Sequence, residues 1–211
     1  LPALSLILLH LRERPSGRTA GLLGIAVALV LLAGHLQVAF YVLGTAAVVW
    51  FWLLLRQRPN RVPFTIAAVS GLAIGMLLSA PQTLPTAELM LHAHRGGGPT
   101  LSGYAAYTAY ASHPSALATL LLPDFFGNPS LPDRPYVGFS RGGMYYNYAE
   151  GAMYVGVLPL FLLAAGIVSV RRRSDARFAS GLAAVALLVA LGTPVAALLY
   201  FGIPGFSGSG S

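Results

Sequence analysis

Two polar side chains interrupt an apolar run in the segment LLLPDFFGNPSLP, residues 120–132. Asp124 and Asn128 stand four residues apart, among prolines, a glycine and two phenylalanines. A carboxylate this close to an apolar stretch can serve as a general base or as a metal ligand. Aspartate is also a common turn residue, and the spacing alone favours the turn. We keep Asp124 as a candidate catalytic residue and Asn128 as a candidate substrate-cavity residue.

A second polar group lies upstream, in the segment TAELMLHAHRGGG, residues 86–98. If this segment is helical, Glu88, His92 and Arg95 fall at positions i, i+4 and i+7, on one face of the helix. The pattern places an acidic, a titratable and a cationic side chain together. Glu88 and His92 are therefore candidate substrate-cavity residues.

Three glycines, Gly96 to Gly98, follow Arg95 directly. Glycine lets backbone amides approach a ligand closely, and beside an arginine such amides can cradle an anionic group such as a phosphate. Binding of a donor phosphate is one interpretation of Arg95, Gly96 and Gly97. A flexible turn, with the arginine reaching to lipid headgroups, fits the same residues equally well.

Asn147 and Glu150, in YNYAEG, stand directly before another apolar stretch. An acidic residue at that depth needs a partner and is a functional-site hypothesis by default, although a salt bridge to an arginine would satisfy it too. Glu150 is thus a second candidate catalytic residue and Asn147 a candidate cavity residue. The sequence has no cysteine and no HExxH or P-loop pattern, so standard zinc and ATPase sites have no support.

These residues belong to a chain that is too apolar for a soluble globule. It is 56% hydrophobic and 9% charged, with a mean hydropathy of +0.70, which leaves too little polar surface to cover a water-soluble fold. The sequence therefore predicts an all-α, polytopic transmembrane protein with about five to six spans. The first apolar run, residues 1–11, is short, so we expect it to be the end of a span in a longer chain.

The apolar runs divide the chain into three parts. Residues 1–80 are predicted to be transmembrane helices, with a tight hairpin at 34–37. Residues 81–151 are predicted to form an extracytoplasmic or interfacial segment that is partly helical. Pro81 and Pro85 should break the preceding span, so that a separate short helix capped by Thr86 follows. Residues 152–211 are predicted to be a transmembrane helix pair with a truncated external end. The predicted spans cover 20–33, 38–55, 62–80, 152–170 and 178–201.

The arginines test this topology independently of hydropathy, because cytoplasmic loops are enriched in basic residues. All 13 basic residues are arginine, and ten of them fall on one side of the predicted membrane. That side carries a net charge of +8 and the other side −1, which together give the formal +7 of the chain. The basic character thus reports orientation, and a nucleic-acid partner is not expected. The prediction is a multi-pass protein of the cytoplasmic membrane with residues 81–151 outside.

Two further features suit a membrane boundary. Tyr104, Tyr107 and Tyr110 are spaced three apart, which in a helix makes an aromatic stripe. Interface anchoring explains the stripe better than sugar stacking. Residues 113–123 are too short to span and predict an interfacial helix that delivers Asp124 to the water boundary.

Five segments, in order, resemble the bacterial YfhO-type membrane proteins, which are related to the polytopic GT-C glycosyltransferases. They are GHLQVAFYVL, PQTLPTAELMLHAHRGG, LLLPDFFGNP, YNYAEGAMYVGVLPL and LGTPVAALLYFGIPGF. The resemblance covers most of the chain, and the ordered combination is more specific than any single piece. It implies an internal fragment of such a protein.

The resemblance implies transfer of a sugar from a polyprenyl-phosphate donor to a cell-envelope acceptor on the outer face of a bacterial inner membrane. Arg95 would then meet the donor phosphate, and Asp124 or Glu150 would activate the acceptor or bind a metal. The identity of any cofactor stays open, a divalent metal included. GT-C enzymes generally carry their acidic catalytic residue in the first external loop, which this sequence lacks if its N-terminal part is missing.

The alternative is a non-catalytic integral membrane subunit of a larger complex. In that case the interfacial helices and tyrosines would bind partner membrane subunits, and the missing acidic loop would be of no consequence. The expected partners are membrane lipid and, for the enzyme, the lipid-linked sugar donor.

Overall fold

The protein folds into helices only, within the residues that the structure describes. The structure, a computed structural model, describes residues 1–56, 61–91, 98–138, 147–151, 153–170, 173–203 and 206–209. The chain divides into two compact units, Leu1–Gly96 and Gly97–Ser211. The first unit holds helices α1 Pro2–Glu13, α2 Gly17–Leu32, α3 Leu36–Arg56 and α4 Arg61–Leu91. The second holds α5 Leu101–Ala109, a 3₁₀ helix Pro114–Leu120, α6 Tyr148–Gly151, α7 Val157–Ser169, α8 Ser174–Ala190, α9 Pro194–Gly202 and a 3₁₀ turn Phe206–Ser209.

Among the residues that the structure describes, two helices are long and apolar enough to cross a membrane, fewer than the five to six spans predicted. They are α3 and the first 29 residues of α4. A third span is obtained if α8 and α9 are taken together, but they are bent by 92°. The helix α2 is apolar but has 16 residues, about 24 Å at 1.5 Å per residue, whereas the hydrocarbon core is about 30 Å thick. The prediction was based on the lengths of the apolar runs in the sequence. Some helices end inside those runs, so fewer helices reach the length that a span requires.

A short turn, residues 33–35, joins α2 and α3. The helix α2 ends at Leu32, and α3 begins at Leu36. Between them Gly34 has a φ of +81°, a conformation that costs glycine little and other residues more. The turn overlaps the hairpin predicted at 34–37, of which residues 36 and 37 lie in α3.

The predicted break at Pro81 and Pro85 is wrong, because α4 runs through both residues without interruption. Proline fixes φ near −65°, which suits a helix, although it removes one backbone hydrogen bond. Hydroxyl groups add hydrogen bonds along this stretch: Thr83 Oγ1 donates to the Ser79 carbonyl at 3.1 Å, and Thr86 Oγ1 to the Gln82 carbonyl at 2.7 Å. Thr86 is thus inside a continuous helix and does not cap a new one. Hydroxyl and neighbouring-helix contacts of this kind are how membrane helices tolerate proline.

The first unit is held together by close packing of α2 against α4 through small residues. On α4 these residues are spaced four apart, at Ala67, Gly71, Gly75 and Ser79, and all are buried. A Cβ on Gly71 would lie 2.8 Å from the Ala20 carbonyl oxygen of α2. This is the small-xxx-small arrangement that lets membrane helices approach closely.

Aromatic and basic residues mark the C-terminal end of α3. The Arg56 guanidinium lies 4.8 Å from the Trp52 ring centroid, and Arg61 Nη2 donates to the Leu55 carbonyl at 3.1 Å. Five large apolar side chains of α3, Phe51 and Leu55 among them, are exposed. Such a surface suits lipid, with the Trp and Arg pair at the headgroup level. The protein is therefore a helical, membrane-associated protein.

In the second unit the tyrosine stripe packs against the C-terminal helix. The rings of Tyr104 and Tyr107 lie 5.3 and 5.5 Å from that of Tyr200, which is buried. Gly103 makes room for the Tyr200 hydroxyl, which would lie 2.5 Å from a Cβ there. Tyr110 is exposed. Two of the three tyrosines thus have a packing role that the sequence pattern did not reveal.

Candidate functional site

Asp124 lies at the start of a closed loop, residues 122–138, that follows the first 3₁₀ helix. The loop is pinned by backbone hydrogen bonds from Asn128 to the Arg134 carbonyl and from Val137 to the Phe126 carbonyl, each 2.8 Å. Asn128 adds a side-chain bond, since its Oδ1 accepts from the Ser130 amide at 2.9 Å. Such asparagine bonds substitute for backbone pairing in turns. The loop is therefore ordered by its own hydrogen bonds.

Gly127 is the residue that permits this closure. Its φ is +89°, which favours glycine. A Cβ at this position would also overlap the backbone carbonyl of Pro135. The backbone of this loop therefore requires glycine at position 127, three residues after Asp124.

The site itself is a carboxylate held by two donors. Tyr148 Oη donates to Asp124 Oδ1 at 2.6 Å, and Asn128 Nδ2 donates to the same oxygen at 3.1 Å. Asp124 is exposed, and both bonds reach Oδ1, so the second carboxylate oxygen makes no hydrogen bond within the described part of the chain. A carboxylate held in this way keeps one lone-pair face available to accept a proton.

Tyr136 completes the cluster by packing edge-on against Tyr148, with ring centroids 5.4 Å apart at 87°. The hydrogen bond to Asp124 is the main cause that raises the pKa of Tyr148 above its usual 10, with burial and the charge of Asp124 adding to it. Burial raises the pKa of Tyr136 as well. Both phenols therefore stay protonated at neutral pH, and Tyr148 acts as a hydrogen-bond donor.

A hydrogen bond of the 3₁₀ helix Pro114–Leu120 connects it to the segment that follows α6. Thr119, which is buried in the 3₁₀ helix, accepts from the Met153 amide at 3.2 Å and donates to the Ala116 carbonyl at 2.7 Å. His113 lies at the start of that helix, where its Nδ1 is 2.7 Å from Ser115 Oγ. The Met153 bond connects the stretch after α6 to the 3₁₀ helix, which ends four residues before Asp124.

The other predicted site residues lie in several parts of the chain. The Asn147 side chain accepts from the Ala149 amide at 3.0 Å and so caps α6. Glu88 lies on α4, in the first compact unit, whereas Asp124 and Asn128 lie in the second. The backbone of Glu150 belongs to α6, but its side chain is outside the described residues. His92, Arg95, Gly96 and Gly97 also lie outside them.

Sequence reasoning missed Tyr136 and Tyr148. Each is one aromatic residue among ten tyrosines, and Tyr148 is 24 residues away from its partner Asp124. No local spacing connects a side chain on a four-residue helix with a carboxylate on a loop. Only the closure of the chain does so.

Apolar side chains surround Asp124 on the surface of the loop. Leu121, Leu122 and Phe125 are all largely exposed, and Asp124 is exposed among them. The predicted interfacial helix is present as a 3₁₀ helix, Pro114–Leu120, that ends four residues before Asp124. Exposed leucine and phenylalanine beside a polar group fit a loop that lies against the bilayer surface.

Metal ligands do not gather in the described residues, where no group of three or more His, Asp or Glu side chains lies close enough to hold an ion. A cavity beside the loop, lined in part by His113, Tyr136 and Gly151, has a volume of about 10 Å³. That is the space of about one water molecule, and Asp124 lies outside this cavity, on the exposed surface of the loop.

No protein family, curated protein or solved structure matches this chain. The site's own geometry is therefore what supports a functional proposal.

Proposed function

We propose that this protein is a bacterial inner-membrane glycosyltransferase of the GT-C type. It transfers a sugar from a polyprenyl-phosphate donor to a cell-envelope acceptor on the outer face. In this proposal the shorter apolar helices α2 and α7 and the bent pair α8–α9 also span, which gives about five to six spans. The observation that supports it is the exposed Asp124 carboxylate, which Tyr148 and Asn128 hold through one oxygen beside an apolar surface.

Asp124 serves as the general base for the acceptor. Its free oxygen takes the proton of the acceptor hydroxyl while the hydroxyl oxygen of the acceptor forms a bond to the anomeric carbon of the sugar. The bond from the anomeric carbon to the donor phosphate breaks, and polyprenyl phosphate leaves with the electron pair. Tyr148 and Asn128 orient the carboxylate by binding Oδ1, so that the proton is accepted on the other oxygen.

The apolar patch of Leu121, Leu122 and Phe125 suits a substrate that arrives in the membrane. A polyprenyl phosphate keeps its chain in lipid and its phosphate at the interface, which is where such a patch would lie. Arg95, with Gly96 and Gly97, remains the proposed contact for the donor phosphate, on the sequence argument given above.

The experiment compares Asp124→Asn with Asp133→Asn in purified protein reconstituted in vesicles. Asp133 is the matched control because it is an exposed aspartate of the same loop. Short-chain polyprenyl-phosphate hexoses are offered with a membrane extract as the acceptor source, and released polyprenyl phosphate is measured. Loss of a general base lowers rates by about 10²- to 10⁴-fold, so D124N should lose transfer and D133N should keep it.

Equal rates for the two variants would refute the base role of Asp124. Tyr148→Phe separates positioning from catalysis, since it removes one donor to Oδ1 and leaves the carboxylate in place. It should lower kcat by less than D124N and leave the donor KM unchanged.

The second candidate is a non-catalytic membrane subunit, which the exposed patch of Leu121, Leu122 and Phe125 also favours. Contiguous exposed apolar side chains are typical of protein interfaces as well as of membrane contacts. Replacing all three by serine separates the candidates. A subunit would dissociate from its complex in native gels of the source membranes, whereas the enzyme would lose vesicle-dependent activity.

A further inference from the structure

Arginines mark the helix ends that join α1 to α2 and α3 to α4. They are Arg12, Arg14, Arg18, Arg56 and Arg61. All of them except Arg12 are exposed. In the sequence of these four helices and their connections the only acidic residues are Glu13 and Glu88, and Glu88 lies near the far end of α4. The helix ends therefore carry a large excess of positive charge.

These helix ends lie at the same end of the first unit. Gly71 of α4 lies against Ala20 of α2, and Gly75 lies against Val27. Since both contacts advance in the same direction along the two helices, α2 and α4 are parallel and begin at the same end. The last turn of α3 is there too, because the Arg61 side chain donates to it. The turn after α1 leads directly into α2, so the arginines share this end.

The shared end is stepped. The helix α2 begins three residues before Ala20, whereas α4 begins ten residues before Gly71, which faces Ala20. At 1.5 Å per residue, α4 therefore extends about 10 Å further than α2. We call Arg14 and Arg18, beside the start of α2, the inner step. Arg61, at the start of α4, belongs to the outer step.

The height of this step sets the depth of the inner step in a membrane. The polar layer on each side of a bilayer is about 5 to 8 Å thick. With the outer step at the water edge of this layer, the inner step lies near the hydrocarbon edge, at the depth of the lipid phosphates. An arginine at such a depth is costly unless an anion accompanies it.

The inner step has the charge and the space to receive that anion. The side chains of Arg14 and Arg18 form no hydrogen bond or ion pair within the described residues. The first turn of α2 contains no acidic residue. Between the two arginines, a Cβ built on Gly17 would meet no atom within 4 Å.

An exposed apolar face of α2 leads to Arg18. Leu22, Ile25 and Leu29 follow Arg18 at positions i+4, i+7 and i+11, which places all four on one face of the helix. The three apolar side chains are exposed. A lipid whose acyl chains lie along this face would have its headgroup beside Arg18. A free anion would make no use of the apolar face.

We propose that Arg14 and Arg18 bind the phosphate of an anionic glycerophospholipid whose acyl chains lie along α2. A zwitterionic lipid carries its own cation beside the phosphate, and the arginines at this end repel that cation, so a lipid with net negative charge is favoured. The site does not involve Asp124, and it holds or fails independently of the proposed glycosyl transfer.

The experiment measures how the full chain in nonionic detergent retains phosphatidylglycerol and phosphatidylcholine of equal chain length, by native mass spectrometry. One arginine beside an anionic lipid surface contributes about a fivefold change in affinity, so two contribute about 25-fold. The double variant Arg14→Gln, Arg18→Gln should lower the preference for phosphatidylglycerol by about 10- to 25-fold. Arg14→Lys with Arg18→Lys keeps both charges and should retain most of the preference.

The matched control is Arg134→Gln with Arg177→Gln, which removes two exposed arginines of the second unit. It should leave the preference unchanged. Equal retention of the two lipids by the wild type would overturn the proposal. An equal loss in the control would do so as well, since total charge rather than the inner step would then be responsible. Release of the bound phosphatidylglycerol by excess inorganic phosphate would indicate a free-anion site instead of a lipid site.

Discussion

Replacing Gly24 by alanine should force α2 and α4 apart. A Cβ at Gly24 would lie 2.6 Å from Cγ2 and 2.8 Å from Cβ of Ile74, and 3.0 Å from the Gly71 carbonyl oxygen. Carbon atoms in ordinary contact are about 3.5 to 4.0 Å apart, so a shift of about 1 Å is needed. Ile74 Cβ and the Gly71 carbonyl belong to the helix rather than to a flexible side-chain end, so α4 itself has to move.

The magnitude follows from a matched substitution on the same helix. Gly21 lies one turn earlier, and a Cβ there meets no atom within 4 Å. Both changes gain the helix propensity of alanine, up to about 1 kcal/mol. Only Gly24→Ala also causes overpacking, which costs about 1 to 3 kcal/mol. The difference between the two variants should therefore be about 1 to 3 kcal/mol, with G24A the less stable.

The assay is reversible unfolding of the protein in mixed micelles, followed by the loss of helical circular dichroism as the fraction of denaturing detergent rises. The difference in unfolding free energy between G24A and G21A is the measured quantity. A difference below about 0.5 kcal/mol would fall within the range of ordinary surface substitutions. It would refute the packing of α2 on α4 through Gly24.

Two further predictions concern the loop around Asp124. Gly127→Ala places a Cβ at a φ of +89° and against the Pro135 carbonyl, so it should destabilise the closed loop by about 1 to 3 kcal/mol. Amide hydrogen exchange in the loop should increase accordingly. Gly166→Ala, whose Cβ meets no atom within 4 Å, is the control. Tyr148 has a raised pKa, so the stability from its bond to Asp124 should be complete below pH 10 and lost as pH rises through the raised value. The tyrosinate absorbance that Tyr148→Phe removes should therefore appear above pH 10, and its appearance at or below pH 10 would contradict the hydrogen bond.

Much of the helix arrangement could be predicted from the sequence because it depends on local patterns. The apolar runs located α3, and Gly34 marked the turn after α2. The same reasoning failed at Pro81 and Pro85. Proline usually ends or kinks a helix in a water-soluble protein, but α4 continues through both residues. Two or three of the described helices, or bent pairs, are long and apolar enough to span, fewer than the apolar runs indicated, since such a run does not show where a helix bends, as at the turn between α8 and α9.

By itself the sequence determined the class of this protein. A composition that is 56% hydrophobic and 9% charged cannot cover a soluble core, and helices are the way such a chain satisfies its backbone in lipid. It also pointed to Asp124 and Asn128, whose contact four residues apart is local. Only the tertiary structure decided that Tyr148 holds Asp124 and that Tyr200 packs against Tyr104 and Tyr107. Those facts depend on contacts between segments distant in sequence, which chain closure and helix packing create and residue spacing does not encode.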